Sequence, residues 1–578
     1  MTYDFDLVIR GGTVLDGTGE AAFEADVAVV GGRIAAVGPG LARGADEIDA
    51  KGLLVTPGFV DIHTHYDGQV TWERRLSPSS EHGVTTVVTG NCGVGFAPCH
   101  PEDREELIAL MAGVEDIPEV VMADGLPWNW ESFGDYLDSV DSQPHDADIG
   151  AMLPHSALRV YVMRQRAVDR EQATEADRAH MAQLTREAIE AGALGFGTSR
   201  AVQQKSVRGQ PIPTVGAAED ELRAILGAMT QTGRGVFQAL SDFDQFRSVD
   251  AEFAMFRRLV AETGRPMSFT LNQKHGDPNG WRRLLDLTHE AQAQGLNIRG
   301  QVLGRPTGLL LGHELSQNPF VHCPSYAPLA KMPLARRAAE LNRPETRMTL
   351  LGELAGTDHM KRTKSVRDWT RMFDLSDPPN YEPEPSDSVA ARAQAMGISP
   401  AELAYDLLLR EGCRAVMLLT AQNYAGYSLD DALDMMKGPH TILGLGDGGA
   451  HLGLVCDASW TTTMLAYWTR DRRRGERMAL TEVVRKMTSE NAQAVGLNDR
   501  GRIAAGYRAD LNVIDYDRLQ LGSPQAVYDL PTGGRRIVQR ASGYVATAVS
   551  GQVTYREGEA TGALPGRVVR GPQAAPHS

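Results

Sequence analysis

Gly58-Phe59-Val60-Asp61-Ile62-His63-Thr64-His65 decides how this chain is read. An apolar run leaves a Pro-Gly turn and ends in two histidines at positions i and i+2. Residues two apart on a strand point to the same side, so His63 and His65 present both imidazoles in one direction. Neutral imidazole is a favoured zinc ligand, and two of them at one strand end make half of a metal site. The plainer alternative is a pair of hydrogen-bonded core histidines.

Outward from that strand, short apolar runs alternate with helical patterns over residues 58–495, as in parallel α/β architecture. The runs are GFVDIHTH (58–65), GVTTVVTG (83–90), DIGAMLP (148–154), ALGFGTS (193–199), GVFQALSD (235–242), PMSFTLNQ (266–273), NIRGQVLG (297–304) and TILGLGDG (441–448). The clearest helix between them is EADRAHMAQLTREAIEAG (175–192). Eight such strands predict a TIM-like (β/α)8 barrel, whose catalytic groups sit at strand C-terminal ends. Both chain ends have a different texture. DLVIRGGTVLDGTG (6–19) and DVAVVGGRIAAVGPG (26–40) alternate around Gly-Gly turns, and ADLNVIDYDRL (509–519) and YVATAVSGQVTYREGE (544–559) repeat the pattern. Residues 1–57 plus 496–570 are therefore expected to form a small antiparallel β-sandwich built from both termini. Residues 316–400, polar and carrying the Pro-rich DLSDPPNYEPEPSDS (374–388), read as an insertion that is either a lid over the barrel mouth or a surface excursion.

The bulk numbers set limits. The chain has 578 residues, more than one hydrophobic core usually serves, with 42% hydrophobic and 23% charged residues. A formal net charge of −16, spread along the chain, argues against nucleic acid or an anionic membrane as partner. The acidic N-terminus does not resemble a signal peptide, and no apolar stretch is long enough to span a bilayer. Five scattered cysteines do not make a disulfide framework, so a cytoplasmic location is expected. The expected partner is a small-molecule amide, and a homo-oligomer is compatible with a soluble enzyme of this kind.

Two further strand ends carry chemistry. Asp447 closes the run Thr441–Gly446, where a carboxylate could touch a metal and take a proton from water, then return it to a leaving nitrogen. Its alternative role is a turn aspartate capping the next helix. Cys92 follows GVTTVVTG directly, and a thiolate there would bind zinc strongly. The alternative is a small buried hydrophobe.

HTHYDGQVTW (63–72), GNCGVGFAP (90–98), LPWNWESFGDYL (126–137), AGALGFGTS (191–199), the GDGG segment (446–449), MTSENAQAVGLNDRGRIAAGYRADLNVID (487–515) and TGALPGRVVR (561–570) together resemble the N-acyl-D-amino-acid deacylase (D-aminoacylase) branch of the amidohydrolase superfamily. The resemblance implies a TIM-like barrel with a two-ended β-sandwich, zinc, and hydrolysis of N-acyl amino acids. It makes His63, His65 and Cys92 metal ligands and Asp447 both ligand and base. The family also supplies a histidine from each of the fifth and sixth strands. Here those positions are Leu240 and Asn272. Leucine cannot bind a metal and amide oxygen is a poor match for zinc, so one Zn2+ held by His63, His65 and Asp447, with Cys92 near it, is expected. Lys274 falls where the family has a lysine that helps hold the substrate carboxylate; the alternative is a solvated surface lysine. Asn272, His451 and Arg305 complete the expected substrate contacts, although Arg305 could equally pair with an acid. His155, His275 and His313 are each expected to satisfy a backbone or carboxylate hydrogen bond. The expected reaction is metal-assisted cleavage of an N-acyl (D-)amino acid. Another amide or a cyclic imide is the alternative substrate, and an inactive barrel serving as an interaction scaffold is the alternative role.

Overall fold

In the computed structural model, which describes residues 3–243, 247–356, 366–375 and 377–576, all eight expected runs form strands of one parallel sheet. In order they are Phe59–Asp61, Val84–Thr89, Asp148–Pro154, Gly195–Ser199, Val236–Leu240, Met267–Thr270, Ile298–Val302 and Thr441–Leu443. Consecutive strands pair in space, the last two included, although the 303–440 segment separates them along the chain. The sheet curls, and its edges meet beyond the strand ends. Asp447 N–H donates to the His63 carbonyl (3.1 Å) and His65 N–H to the Gly448 carbonyl (2.7 Å), with Thr64 and Gly448 bridged in parallel. This closes a TIM-like barrel.

Local chemistry explains the helices around it. Glu175–Ala191 opens with a capping box in which the Thr174 hydroxyl accepts from Asp177 N–H and the Asp177 carboxylate accepts from Thr174 N–H. Its buried positions, Met181, Thr185, Ala188 and Ile189, fall at helical spacing and turn inward among the neighbouring helices. Gly192 ends it at φ 123°. Each large apolar side chain buried in this way contributes about 1.5–3 kcal/mol.

Strands from both chain ends join in a second sheet of nine strands. Leu54–Pro57, from the N-terminal region, pairs antiparallel with Leu511–Ile514. The expectation of an antiparallel sheet needs correcting: Phe5–Val14 pairs in parallel with both Gly44–Asp49 and Leu54–Pro57. The run after Gly40 crosses back over the sheet instead of turning in a hairpin, so the direction does not alternate. Leu7, Ile9, Val27, Val55, Leu511 and Val513 form a core here separate from that of the barrel.

The segment between the seventh and eighth barrel strands is not the polar excursion its composition suggests. It holds a three-stranded antiparallel sheet, Thr307–Leu311, Met417–Gln422 and Met372–Asp374, and helices that include Tyr326–Ala330, Leu334–Leu341, Pro344–Leu354 and Val389–Met396. Leu311, Phe320, Tyr326, Leu350, Tyr405 and Leu408 make a core of their own. Those apolar residues are spread thinly on amphipathic helices, so the surrounding prolines and charges hide them. Residues 357–365 and Ser376, within the expected 316–400 insertion, lie outside the described residues. The strand ending at Gln422 leads to Asn423, whose N–H donates to the Gln273 carbonyl (2.9 Å) and whose side-chain oxygen accepts from Gln273 N–H (2.8 Å). The excursion is thereby tied to the end of the sixth barrel strand.

Candidate active site

At the C-terminal ends of the first two barrel strands, His63, His65 and Cys92 bring one donor atom each within 4.8 Å of one another, all buried. Asp447 reaches the same point from the eighth strand. Its Oδ1 lies 3.4 Å from His63 Nε2 and 3.7 Å from His65 Nε2. Cys92 Sγ lies 3.4 Å from His63 Nε2. Two imidazoles, a thiol and a carboxylate are the donor set zinc prefers. The residues present therefore fit a divalent ion.

The backbone is shaped to this end. Cys92, Asp447 and His451 all adopt the left-handed conformation, at φ 52°, 46° and 50°, which non-glycine residues hold at a cost of about 1–3 kcal/mol each. Gly449 (φ +86°) is required for a different reason: a Cβ there would sit 3.0 Å from the His65 carbonyl oxygen and 2.7 Å from the Tyr66 ring. Asp61 fastens the histidine strand end. Its Oδ1 accepts from His63 N–H (3.2 Å) and its Oδ2 from Trp460 Nε1–H (3.1 Å).

A second ring of polar groups orients the donors. His63 Nδ1 lies 2.6 Å from Gln301 Oε1. An amide oxygen only accepts, so Nδ1 carries the proton and Nε2 keeps its lone pair for the centre of the site. Gln301 is held in turn by Ser268 Oγ (2.9 Å). Gln238 Oε1 accepts from Cys92 N–H (3.0 Å). Glu115, buried at the end of helix Arg104–Glu115, lies 3.5 Å from His65 Nδ1 through one oxygen and 3.5 Å from His451 Nε2 through the other. Its backbone carbonyl also accepts from His451 N–H.

Electrostatics follow burial. Desolvation pushes the His63 pKa down to about 4, so the imidazole is neutral and able to act as a ligand. His65 is pushed well below its usual value by burial, then by His63 and His451. Burial raises the carboxyl of Asp447 and brings Asp67 up to about 8. It lifts Glu115 well above the carboxylate range, with Asp447 and Asp67 adding to the shift. The Cys92 thiol is held protonated by burial and by the same three carboxylates. This many acids around one point are relieved by a cation.

The other expected residues separate. His451 joins the site through Glu115. Asn272 Nδ2 donates to Gln422 Oε1 (2.7 Å), and Lys274 Nζ donates to the Phe243 carbonyl; both line a cavity at the fifth and sixth strand ends. Arg305 is placed elsewhere. Its guanidinium is buried against Asp457 (2.9 Å) and Ser459 Oγ (2.9 Å), 3.9 Å over the Tyr381 ring, which is the pairing given above as its alternative. His155 lies between Thr198 Oγ1 and Glu221 Oε1, each 2.7 Å away. His313 meets the Tyr326 hydroxyl at 2.9 Å, neither a backbone nor a carboxylate group. Sequence reading missed Gln238, Gln301 and Glu115. The two glutamines had a signal, since a polar residue inside an apolar parallel strand stands out. Glu115 had none, because its contacts are tertiary.

This metal-ready strand-end cluster on a closed parallel barrel defines an amidohydrolase, and residues 46–555 match the model of the amidohydrolase family. The chain belongs to that family. It is a hydrolase of carbon–nitrogen bonds, and its full-length relatives include a D-aminoacylase and an N-acyl-D-glutamate deacylase. It is 27% identical to the D-aminoacylase of Alcaligenes xylosoxydans xylosoxydans over 580 residues, covering 98% of this chain and 97% of that one. An uncharacterised protein of Mycobacterium tuberculosis is 28% identical over 594 residues, covering 96% and 93%. Among solved structures, the N-acyl-D-glutamate deacylase of Bordetella bronchiseptica, complexed with zinc and a phosphonate inhibitor, shares the fold at a TM-score of 0.64 and 22% identity, over 98% of this chain and 99% of that one.

Proposed function

We propose that the protein hydrolyses an amide bond of a small N-acyl amino-acid-type molecule, using one zinc ion held by His63, His65, Cys92 and Asp447. The observation that carries this reading is the convergence of those four donors from three strand ends on one buried point. When bound, the ion supplies a Lewis acid that polarises a carbonyl and acidifies water. The residues supply the rest. Gln301 holds His63 in the tautomer with Nε2 unprotonated, and Gln238 fixes the turn that presents Cys92. Asp447 is the only one of the four donors partly open to the mouth, with 25% side-chain exposure. Its carboxylate is set to take a proton from the attacking water and to deliver it to the departing nitrogen. The walls around His63 and His65 keep bulk water out.

The relatives support this chemistry. One is named a D-aminoacylase, and the solved deacylase binds zinc and a mimic of the reaction's tetrahedral intermediate. Five unbridged cysteines, all buried, support a reducing cytoplasmic setting. No helix among the described residues is long and apolar enough to cross a membrane. Metal analysis of the purified chain, with amine release from N-acyl-D- and N-acyl-L-amino acids and their amides, tests the proposal. One zinc per chain with amine release is expected. A chain that takes up no zinc after reconstitution would leave the inactive-scaffold reading in first place.

A further inference from the structure

Beside the donor cluster, on the same mouth of the barrel, lies a cavity of about 300 Å3. Its position follows from register. Gln238, the partner of Cys92, pairs across the sheet with Ser268, the partner of Gln301. Both face inward. Two residues further along the same strands, Leu240 and Thr270 face inward again, about 7 Å nearer the mouth. They form the cavity floor, one layer beyond the ring that orients the metal donors. Its volume suits a small organic group.

The walls have a definite chemistry. Leu240 is only partly buried, so its apolar side chain serves the cavity and not the core. Phe243 and Trp281 continue that apolar side. Opposite them, Thr270 Oγ1 is a buried hydroxyl with no hydrogen-bond partner. Gln422 commits its carbonyl to Asn272, so its amide N–H group is the remaining polar function. The one ammonium among the described lining residues, Lys274, donates to the Phe243 carbonyl and shares the wall with Asp242, whose carboxyl burial pushes above its ordinary value while Lys274 works against that shift. Among the described lining residues, one ammonium therefore stands with one carboxyl group. A ligand carboxylate would meet Asp242 as a like charge, which costs affinity. An uncharged group with N–H beside C=O meets an acceptor in Asp242 and donors in Gln422 and Thr270.

We propose that this cavity recognises an uncharged carboxamide or imide head group next to an apolar side chain, so that the substrates are neutral N-acyl amino-acid amides or imides and not free N-acyl amino acids. The inference rests on the amide-hydrolase reading for the chemistry that follows binding, but not for the binding itself.

Calorimetry on the zinc-loaded full chain tests it, with N-acetyl-leucinamide, N-acetyl-leucine (both enantiomers of each) and glutarimide as probes. The amide is expected to bind at least about tenfold more tightly than the matching carboxylate. Gln422→Leu should weaken the amide about tenfold and leave the carboxylate within about twofold. Asp242→Asn should narrow the preference by strengthening carboxylate binding, with thermal unfolding confirming that both variants are folded. Tighter binding of the carboxylate, no measurable binding of any probe, or a preference that both variants leave intact would overturn the proposal. Amine release is followed in parallel. Preferred amide binding without release keeps the cavity assignment and defeats the hydrolysis reading; release from carboxylates alone, with weak amide binding, does the reverse.

Discussion

Two corners of one barrel mouth have diverged. At the first and second strands, His63, His65 and Cys92 bring donors within 4.8 Å of one another, with Gln301 orienting His63 and Gln238 the turn of Cys92. At the fifth and sixth strands, the equivalent depth carries Leu240, Thr270 and Asn272, which line a cavity and offer no nitrogen or sulfur to a metal. Both corners are built on parallel strands, although the first pair carries a register shift between Phe59 and Val60 that the fifth and sixth strands lack. The barrel constrains where side chains point and leaves open what they are. On the readings proposed above, one corner serves chemistry and the other recognition.

The largest test of this contrast is Asp447→Asn. It should lower turnover by about 10²–10⁴-fold while the unfolding temperature stays near that of the parent, as expected for a proton-transfer group. Near-normal turnover would remove Asp447 as the base. Next in size is Glu115→Gln. A carboxylate flanking a ligand histidine typically supports metal affinity by about 10–100-fold, and chelator competition should show a loss in that range. An unchanged affinity would reduce Glu115 to a packing group.

The contrast can also be reversed. Leu240→His combined with Asn272→His should raise bound zinc from one to two equivalents, read by elemental analysis. A parent that already holds two would show that the neutral corner was misread.

The smallest effect lies far from either corner. Burial pushes the His313 pKa down to about 3 from its usual 6.5. The unfolded chain takes up a proton near pH 6.5 and the folded one only near pH 3, so stability present at neutral pH is lost as pH falls through that window. The loss by pH 5 is about 2 kcal/mol. His313→Asn should flatten the slope of unfolding free energy between pH 7 and 5. An unaltered slope would place the acid sensitivity elsewhere, His82 (about 4) being the next group to examine.

Much of this arrangement was legible in the chain itself. Each barrel strand is a short apolar run bounded by glycine or a helix signal, and periodicity reads such local patterns well. The donors were legible because they end those runs. What sequence hid is what depends on tertiary closure. Glu115 looks like any helical glutamate until the loop carrying His451 folds onto it. Arg305 follows a strand as a substrate-binding arginine would, yet Asp457 and Tyr381 arrive from distant segments to claim it. The parallel course of Gly44–Asp49 was hidden because alternation fixes which face a side chain takes but not the direction of pairing.

The stitch that closes the barrel has a consequence in time. His63 and His65 bond through their backbones to Asp447 and Gly448, so the first and last barrel strands must both exist before the pocket does. During synthesis the early histidines and Cys92 wait, without their carboxylate partner, until nearly all of the barrel has left the ribosome. Tight metal capture would then wait for Asp447, and so for most of the barrel. A truncated product should fail to retain zinc tightly, and a loaded ion would mark a molecule whose ends have met.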